Sequence, residues 1–92
     1  MNILLKISGT MERYFPATEF HFKLGNDATL SDLYEELAIV AGAEISPAVW
    51  NHNKNRPRGP VIIRSEAGVI KDEKHPLYEG QILELKRFLV GG

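Results

Sequence analysis

Ninety-two residues are enough for one domain with a single core and leave no room for a second. A formal net charge of −1, with 43% hydrophobic and 25% charged residues, is the composition of an ordinary soluble globular chain and gives no overall pull toward nucleic acid, anionic membrane or acidic substrates. The lack of cysteine removes disulfides, thiolate metal sites and cysteine nucleophiles, and without a basic-then-apolar leader or an apolar run of about 18 residues a cytoplasmic location is the default expectation.

In chain order, Ile3, Leu5 and Ile7 alternate with Asn2, Lys6 and Ser8, the period of a half-buried strand, and Leu4 is the apolar residue on the other face. Gly9 to Pro16 reads as a connecting loop. Phe20, Phe22 and Leu24 then alternate with Glu19, His21 and Lys23, which predicts a second strand and an antiparallel hairpin. Gly25-Asn26-Asp27 is turn chemistry, and Thr29 is an N-cap with Asp32 in the first helical turn, where a carboxylate meets the positive end of the helix dipole. Leu30, Leu33, Leu37 and Val40 follow helical spacing, with Asp32, Glu35 and Glu36 on the remaining arc and Gly42 placed to end the helix.

Periodicity is lost from Ala43 to Pro60, which predicts a long loop. Val61-Ile62-Ile63 is a short β-branched strand, and Glu66-Ala67-Gly68 turns it into a brief return through Val69 and Ile70. After His75-Pro76 and the Glu79-Gly80 turn, Leu83 and Leu85 alternate with Ile82, Glu84 and Lys86 in a last strand that runs into Leu89-Val90-Gly91-Gly92. Hairpin, helix, short strands and final strand define an α+β fold, a mixed four- to five-stranded sheet packed on one main helix.

Gly91 and Gly92 lack a Cβ and fit an extended channel too narrow for side chains. Two terminal glycines arise by chance in about 0.5% of chains, so the tail alone does not decide function. Leu4, Ile82 and Phe88 fall on the strand faces opposite the core and should cluster beside the tail if first and last strands are neighbours, a surface suited to docking a partner. His52, Lys54, Arg56 and Arg58 form a basic run just after Trp50. In a net-acidic chain with a single aromatic at that place, it reads as a solvated or partner-docking loop rather than a nucleic-acid platform. His21, His52 and His75 have no metal-site spacing, Glu35 and Glu36 read as a solvated helix face, and no catalytic triad or phosphate loop stands out, so the chain is not read as an enzyme.

With the Ala28-Thr29-Leu30-Ser31-Asp32-Leu33 helix start, the Leu77-Tyr78-Glu79-Gly80-Gln81 turn and the Val90-Gly91-Gly92 end, the chain resembles the ubiquitin-like β-grasp sulfur carriers. These comprise the molybdopterin synthase small subunit, the thiamine sulfur carrier and the ubiquitin-related modifier. The spacing from Gly80 to Gly92 resembles the molybdopterin-synthase type, and Arg56-Pro57 before the Val61 strand resembles the ubiquitin-related modifier. Gln81 departs from the acidic residue common after the turn glycine, and Ala48 to Pro60 is longer and more basic than in the molybdopterin type.

The resemblance implies a single domain over residues 1–92 with a tail over about 89–92, and chemistry at the terminus. A ubiquitin-activating-like enzyme would use ATP to adenylate the Gly92 carboxylate, and sulfur transfer would give a terminal thiocarboxylate, a nucleophile carried by backbone. Gly91 supplies clearance, while Phe88, Leu89 and Val90, with Leu4 and Ile82, would meet the partner. A synthase large subunit or a sulfur donor protein is the further partner implied, with no stably bound cofactor and no metal. Two alternatives stay open: a protein modifier conjugated to lysines through Gly92, and a non-covalent interaction module.

Overall fold

In a computed structural model of the protein the described residues are 1–87, so Phe88, Leu89, Val90, Gly91 and Gly92 lie outside them. Among the described residues the strands are β1 (Asn2–Ile7), β2 (Glu19–Lys23), β3 (Trp50–Asn51), β4 (Arg56–Pro57), β5 (Val61–Ser65), β6 (Gly68–Ile70) and β7 (Ile82–Arg87), with a single α-helix, α1 (Leu30–Ala41). Five of the strands form one mixed sheet in the order β2-β1-β7-β5-β6. The hairpin is antiparallel, with Leu5 opposite Phe20. The last strand returns to the middle of the sheet, parallel to β1 and antiparallel to β5.

Alternation sorts the sheet into two faces, because successive side chains of a strand point to opposite sides. Ile7, Leu85, Ile63 and Ile70 are successive cross-strand partners and form one apolar row facing α1. Leu30, Leu33, Tyr34, Leu37 and Ala41 of the helix cover that face, and all are buried. Val40 is the exception to the expected stripe, at 56% exposure. Ten residues after Leu30 it lies about 80° around the helix, off the edge of the buried arc, while Tyr34 and Ala41 return to it. The helix does not stop at a left-handed glycine either. Gly42 keeps right-handed φ and ψ of −52° and −44°, and the chain tightens into a short 3-10 turn over Gly42–Glu44.

The start of α1 is held from two sides. The Asp32 carboxylate accepts the Thr29 backbone N–H at 2.8 Å and its hydroxyl at 3.2 Å. The Leu30 and Ser31 N–H groups, which have no partner inside the helix, donate to His75 and Glu73 carbonyls at 3.1 and 2.7 Å.

The two stretches expected to be plain loops contribute to the core. Gly9–Tyr14 is a 3-10 helix that buries Met11 fully, and Phe15 follows it inward. Within the 43–60 stretch a two-residue ladder pairs Trp50 with Pro57 and Asn51 with Arg56. Ile45, Val49 and Trp50 are buried there.

Candidate functional site

Strand β7 is hydrogen-bonded on both sides and ends at Arg87, from which the chain leads directly to residue 88. The root of the tail is therefore fixed by the centre of the sheet rather than by an edge. Around it lie the Ser8 turn, whose N–H donates to the Leu85 carbonyl at 3.0 Å, the 3-10 helix that follows, and Val61, the partner of Arg87 in β5. A feature the sequence did not announce is built here. The Arg13 guanidinium lies 4.8 Å from the Tyr14 ring centre and donates to Tyr14 Oη at 2.6 Å. The Arg87 guanidinium sits 5.8 Å from the same ring. The Arg13 hydrogen bond, with the charges of Arg13 and Arg87 behind it, holds the Tyr14 phenol below its ordinary value, against the opposing effect of partial burial.

The outer face of the sheet brings Leu4 and Ile82 together as direct cross-strand partners. Ile82 is 47% exposed, and the two line a shallow depression of about 540 Å³ with Asn2, His21, Lys23 and Gly80. They lie at the start of β7, at the other end of that strand from Arg87. Between them and Arg87 runs a row of alternating charge, Glu19, Lys6, Glu84 and Arg64, each the cross-strand partner of the next. Glu84 also accepts the Ser8 hydroxyl at 2.8 Å and faces Lys86 at 3.9 Å. Continuity of this patch with Phe88 falls outside the described residues.

The basic run does not act as one surface. Arg56 is turned inward, donating through Nε and Nη2 to the two Glu73 oxygens at 2.9 and 3.2 Å, through Nη1 to Glu35 at 2.8 Å and the Asn55 carbonyl at 2.9 Å, and through Nη2 to Ser31 Oγ at 2.8 Å. Its guanidinium also lies 5.5 Å from the Tyr34 ring centre. Glu35, expected as a solvated helix residue, is one jaw of this clamp. Trp50 is 1% exposed and packs edge-on against Tyr34, so it offers no stacking platform. His52 contacts the Ile45 carbonyl through Nε2 at 3.0 Å. His52, Lys54 and Arg58 remain exposed.

The turn before β7 has the geometry its residues require. Gly80 has φ of +79°, a region closed to most side chains, and its N–H donates to the Asn2 carbonyl at 2.8 Å. Glu79 accepts the Asn2 backbone N–H at 2.9 Å, and this hydrogen bond is the main reason its carboxyl is held below the usual range. Gln81 is 2% exposed, and its Oε1 accepts the Tyr78 N–H at 3.2 Å, so an uncharged amide suits that buried position. His21 and His75 are exposed. Among the described residues no three His, Cys, Asp or Glu side chains gather as a metal site, and no helix is long and apolar enough to cross a membrane.

A mixed sheet with its last strand inserted at the centre, beside the first, and one helix across its inner face defines the ubiquitin-like β-grasp fold. Solved structures share this fold. SAMP1, small archaeal modifier protein 1 from Haloferax volcanii, superposes with a TM-score of 0.76 at 14% identity, covering all of both chains. Subunit 1 of the Helicobacter pylori molybdopterin-converting factor, in complex with subunit 2, gives 0.62 at 21% identity, again over all of both chains. Urm1 from Trypanosoma brucei gives 0.65 at 15% identity, covering 99% of this chain and 95% of its own. No protein-family model and no curated protein sequence matches the chain.

Proposed function

We propose that this protein is a sulfur carrier whose reacting group is the Gly92 carboxylate. The observation that carries the reading is the seating of β7 at the centre of the sheet, so that the strand preceding residue 88 is paired on both sides, in a fold shared with an archaeal modifier protein and a molybdopterin-converting factor subunit. The chemistry belongs to a partner. In an activating enzyme of the ubiquitin-activating type, a Gly92 carboxylate oxygen attacks the α-phosphorus of ATP and pyrophosphate leaves. A hydrosulfide equivalent from a sulfur donor then adds to the acyl carbon, the bond to the phosphate oxygen breaks, and AMP departs to leave a thiocarboxylate. Gly91 gives clearance in the partner's channel, and Phe88, Leu89 and Val90 line the path into it. Leu4 and Ile82 supply an apolar contact on the sheet's outer face. The pairing of subunits 1 and 2 in the Helicobacter pylori complex supports a synthase subunit as the protein that receives the sulfur.

The test is intact-protein mass after incubation with a candidate activating enzyme, ATP and a sulfur donor. Exchange of one oxygen for sulfur, abolished by deleting Gly92, is the expected result. A stable Gly92-dependent adduct of higher mass instead favours the second reading, a modifier joined to target lysines, which the likeness to modifier proteins supports. If Gly92 can be deleted with cellular function intact, both covalent readings fall and a non-covalent module remains.

A further inference from the structure

Neither arginine at the root of the tail has an ion-pair partner among the described residues. Ion pairs among the described residues use Arg56 with Glu35 and Glu73, and Lys86 with Glu84, and none reaches Arg13 or Arg87. Arg87 Nε is buried and has no hydrogen-bond acceptor among the described residues. Arg13 is exposed and spends one of its guanidinium donors on Tyr14, which leaves a fork of in-plane donors open to solvent. Both cations lie against the one Tyr14 ring, and a bound anion would offset the repulsion between them. The planar donor fork of a guanidinium matches the two-oxygen geometry of a carboxylate, and the second cation adds favourable charge.

Position selects among the anions. The five residues from 88 to 92 span at most about 16–18 Å when extended. A nucleotide phosphate at the Gly92 carboxylate of an extended tail therefore lies beyond the reach of Arg13 and Arg87. On the tail reading proposed above, the partner surface nearest Arg13 and Arg87 is the one around the mouth of its tail channel. We infer that Arg13, Tyr14 and Arg87 form a carboxylate-binding station, and that its ligand is an Asp or Glu side chain at the rim of the activating enzyme's tail channel. This rests on the tail reading proposed above and adds to it the charge of the partner's rim. The station engages before chemistry, so it sets capture of the carrier and not turnover.

ATP–pyrophosphate exchange by the activating enzyme from the same organism, with carrier concentration and salt varied, tests this. Arg13→Glu and Arg87→Glu should each raise KM for the carrier about tenfold or more with kcat unchanged, and should flatten its salt dependence. Arg13→Gln and Arg87→Gln remove the charge without adding repulsion and should rank between these and wild type, and a thermal melt of each variant checks folding. Unchanged KM in all four folded variants, with exchange still proceeding, overturns the station and leaves the tail reading standing. No exchange with the wild-type carrier overturns the tail reading, and this inference with it.

Discussion

Replacing Arg56 by Ala separates a structural clamp from a docking residue. Arg56 ties together three segments distant in sequence: β4, the first turns of α1 through Ser31 and Glu35, and the stretch before β7 through Glu73. Its side chain is only 21% exposed, but Glu35 and Glu73 are 54% and 48% exposed, so each ionic contact is partly screened. Two such pairs contribute about 0.5–1 kcal/mol each. The guanidinium over Tyr34 adds about 0.5–1 kcal/mol, which brings the expected loss to about 2 kcal/mol. For a chain of this length that lowers the melting temperature by about 10 °C. Trp50 is the single tryptophan and is buried, so its fluorescence during urea or thermal unfolding reports the change directly. Arg56→Lys should recover only part of the loss, because one ammonium cannot span both carboxylates. Below the melting range the Ala variant should be activated at the tail as well as wild type. A melting temperature within about 2 °C of wild type, or loss of partner binding in the folded variant, refutes the clamp and returns Arg56 to the docking surface.

Tyr34 provides a pH signature. Burial, reinforced by the Glu73 charge and opposed by Arg56, pushes its phenol from 10.0 up to about 12. The unfolded chain thus loses this proton first, so the associated stability is complete below pH 10 and disappears as pH rises toward 12. Up to about 3 kcal/mol is at stake; denaturant titrations should find this alkaline loss in wild type and not in Tyr34→Phe, and identical pH curves would contradict the assignment. Gly80→Ala meets no atom within 4 Å but must adopt a φ near +79°, so it should cost about 1 kcal/mol of conformational strain in equilibrium unfolding. A loss above about 3 kcal/mol would mean a steric wall that the structure lacks.

The regular elements were legible because their burial follows a period. Ile3, Leu5 and Ile7, and Leu83 and Leu85, declare their inner face by alternation, and each of these residues is buried in the structure. The helix start was legible through Thr29 and Asp32 for the same local reason. What stayed hidden is packing without a period. Met11, Ile45, Val49 and Trp50 reach the core from a 3-10 turn, irregular chain and a two-residue strand, all too short or irregular for a spacing to mark the buried side. Arg56 looked like one of four similar cations, and its distinction comes from Glu73, which no local pattern links to it. The station at the tail root joins residues 13 and 14 to residue 87, a contact made by topology alone. The tail chemistry itself was suggested by resemblance, and residues 88–92 lie outside the described structure.

The placement of Ile82 turns the docking proposal into a geometric one. Ile82 opens β7 and Arg87 closes it, a separation of about 17 Å along the strand. The charged row through Lys6 and Glu84 lies between them. A partner that holds the apolar pair and the tail root together must span that distance, whereas two successive partners could each use one end. Ile82→Lys is expected to leave the fold intact, because the side chain is about half exposed and faces away from the helix. Sites this far apart act additively when one partner grips both, so Ile82→Lys combined with Arg87→Glu should then weaken capture by the sum of the two single effects in free energy. If the activating enzyme uses only the tail root, Ile82→Lys leaves its KM unchanged and instead impairs transfer of sulfur to the receiving protein. Steady-state exchange and a single-turnover transfer assay on the same variants separate these cases. An Ile82→Lys protein that is folded and normal in both assays removes Leu4 and Ile82 from the interface altogether.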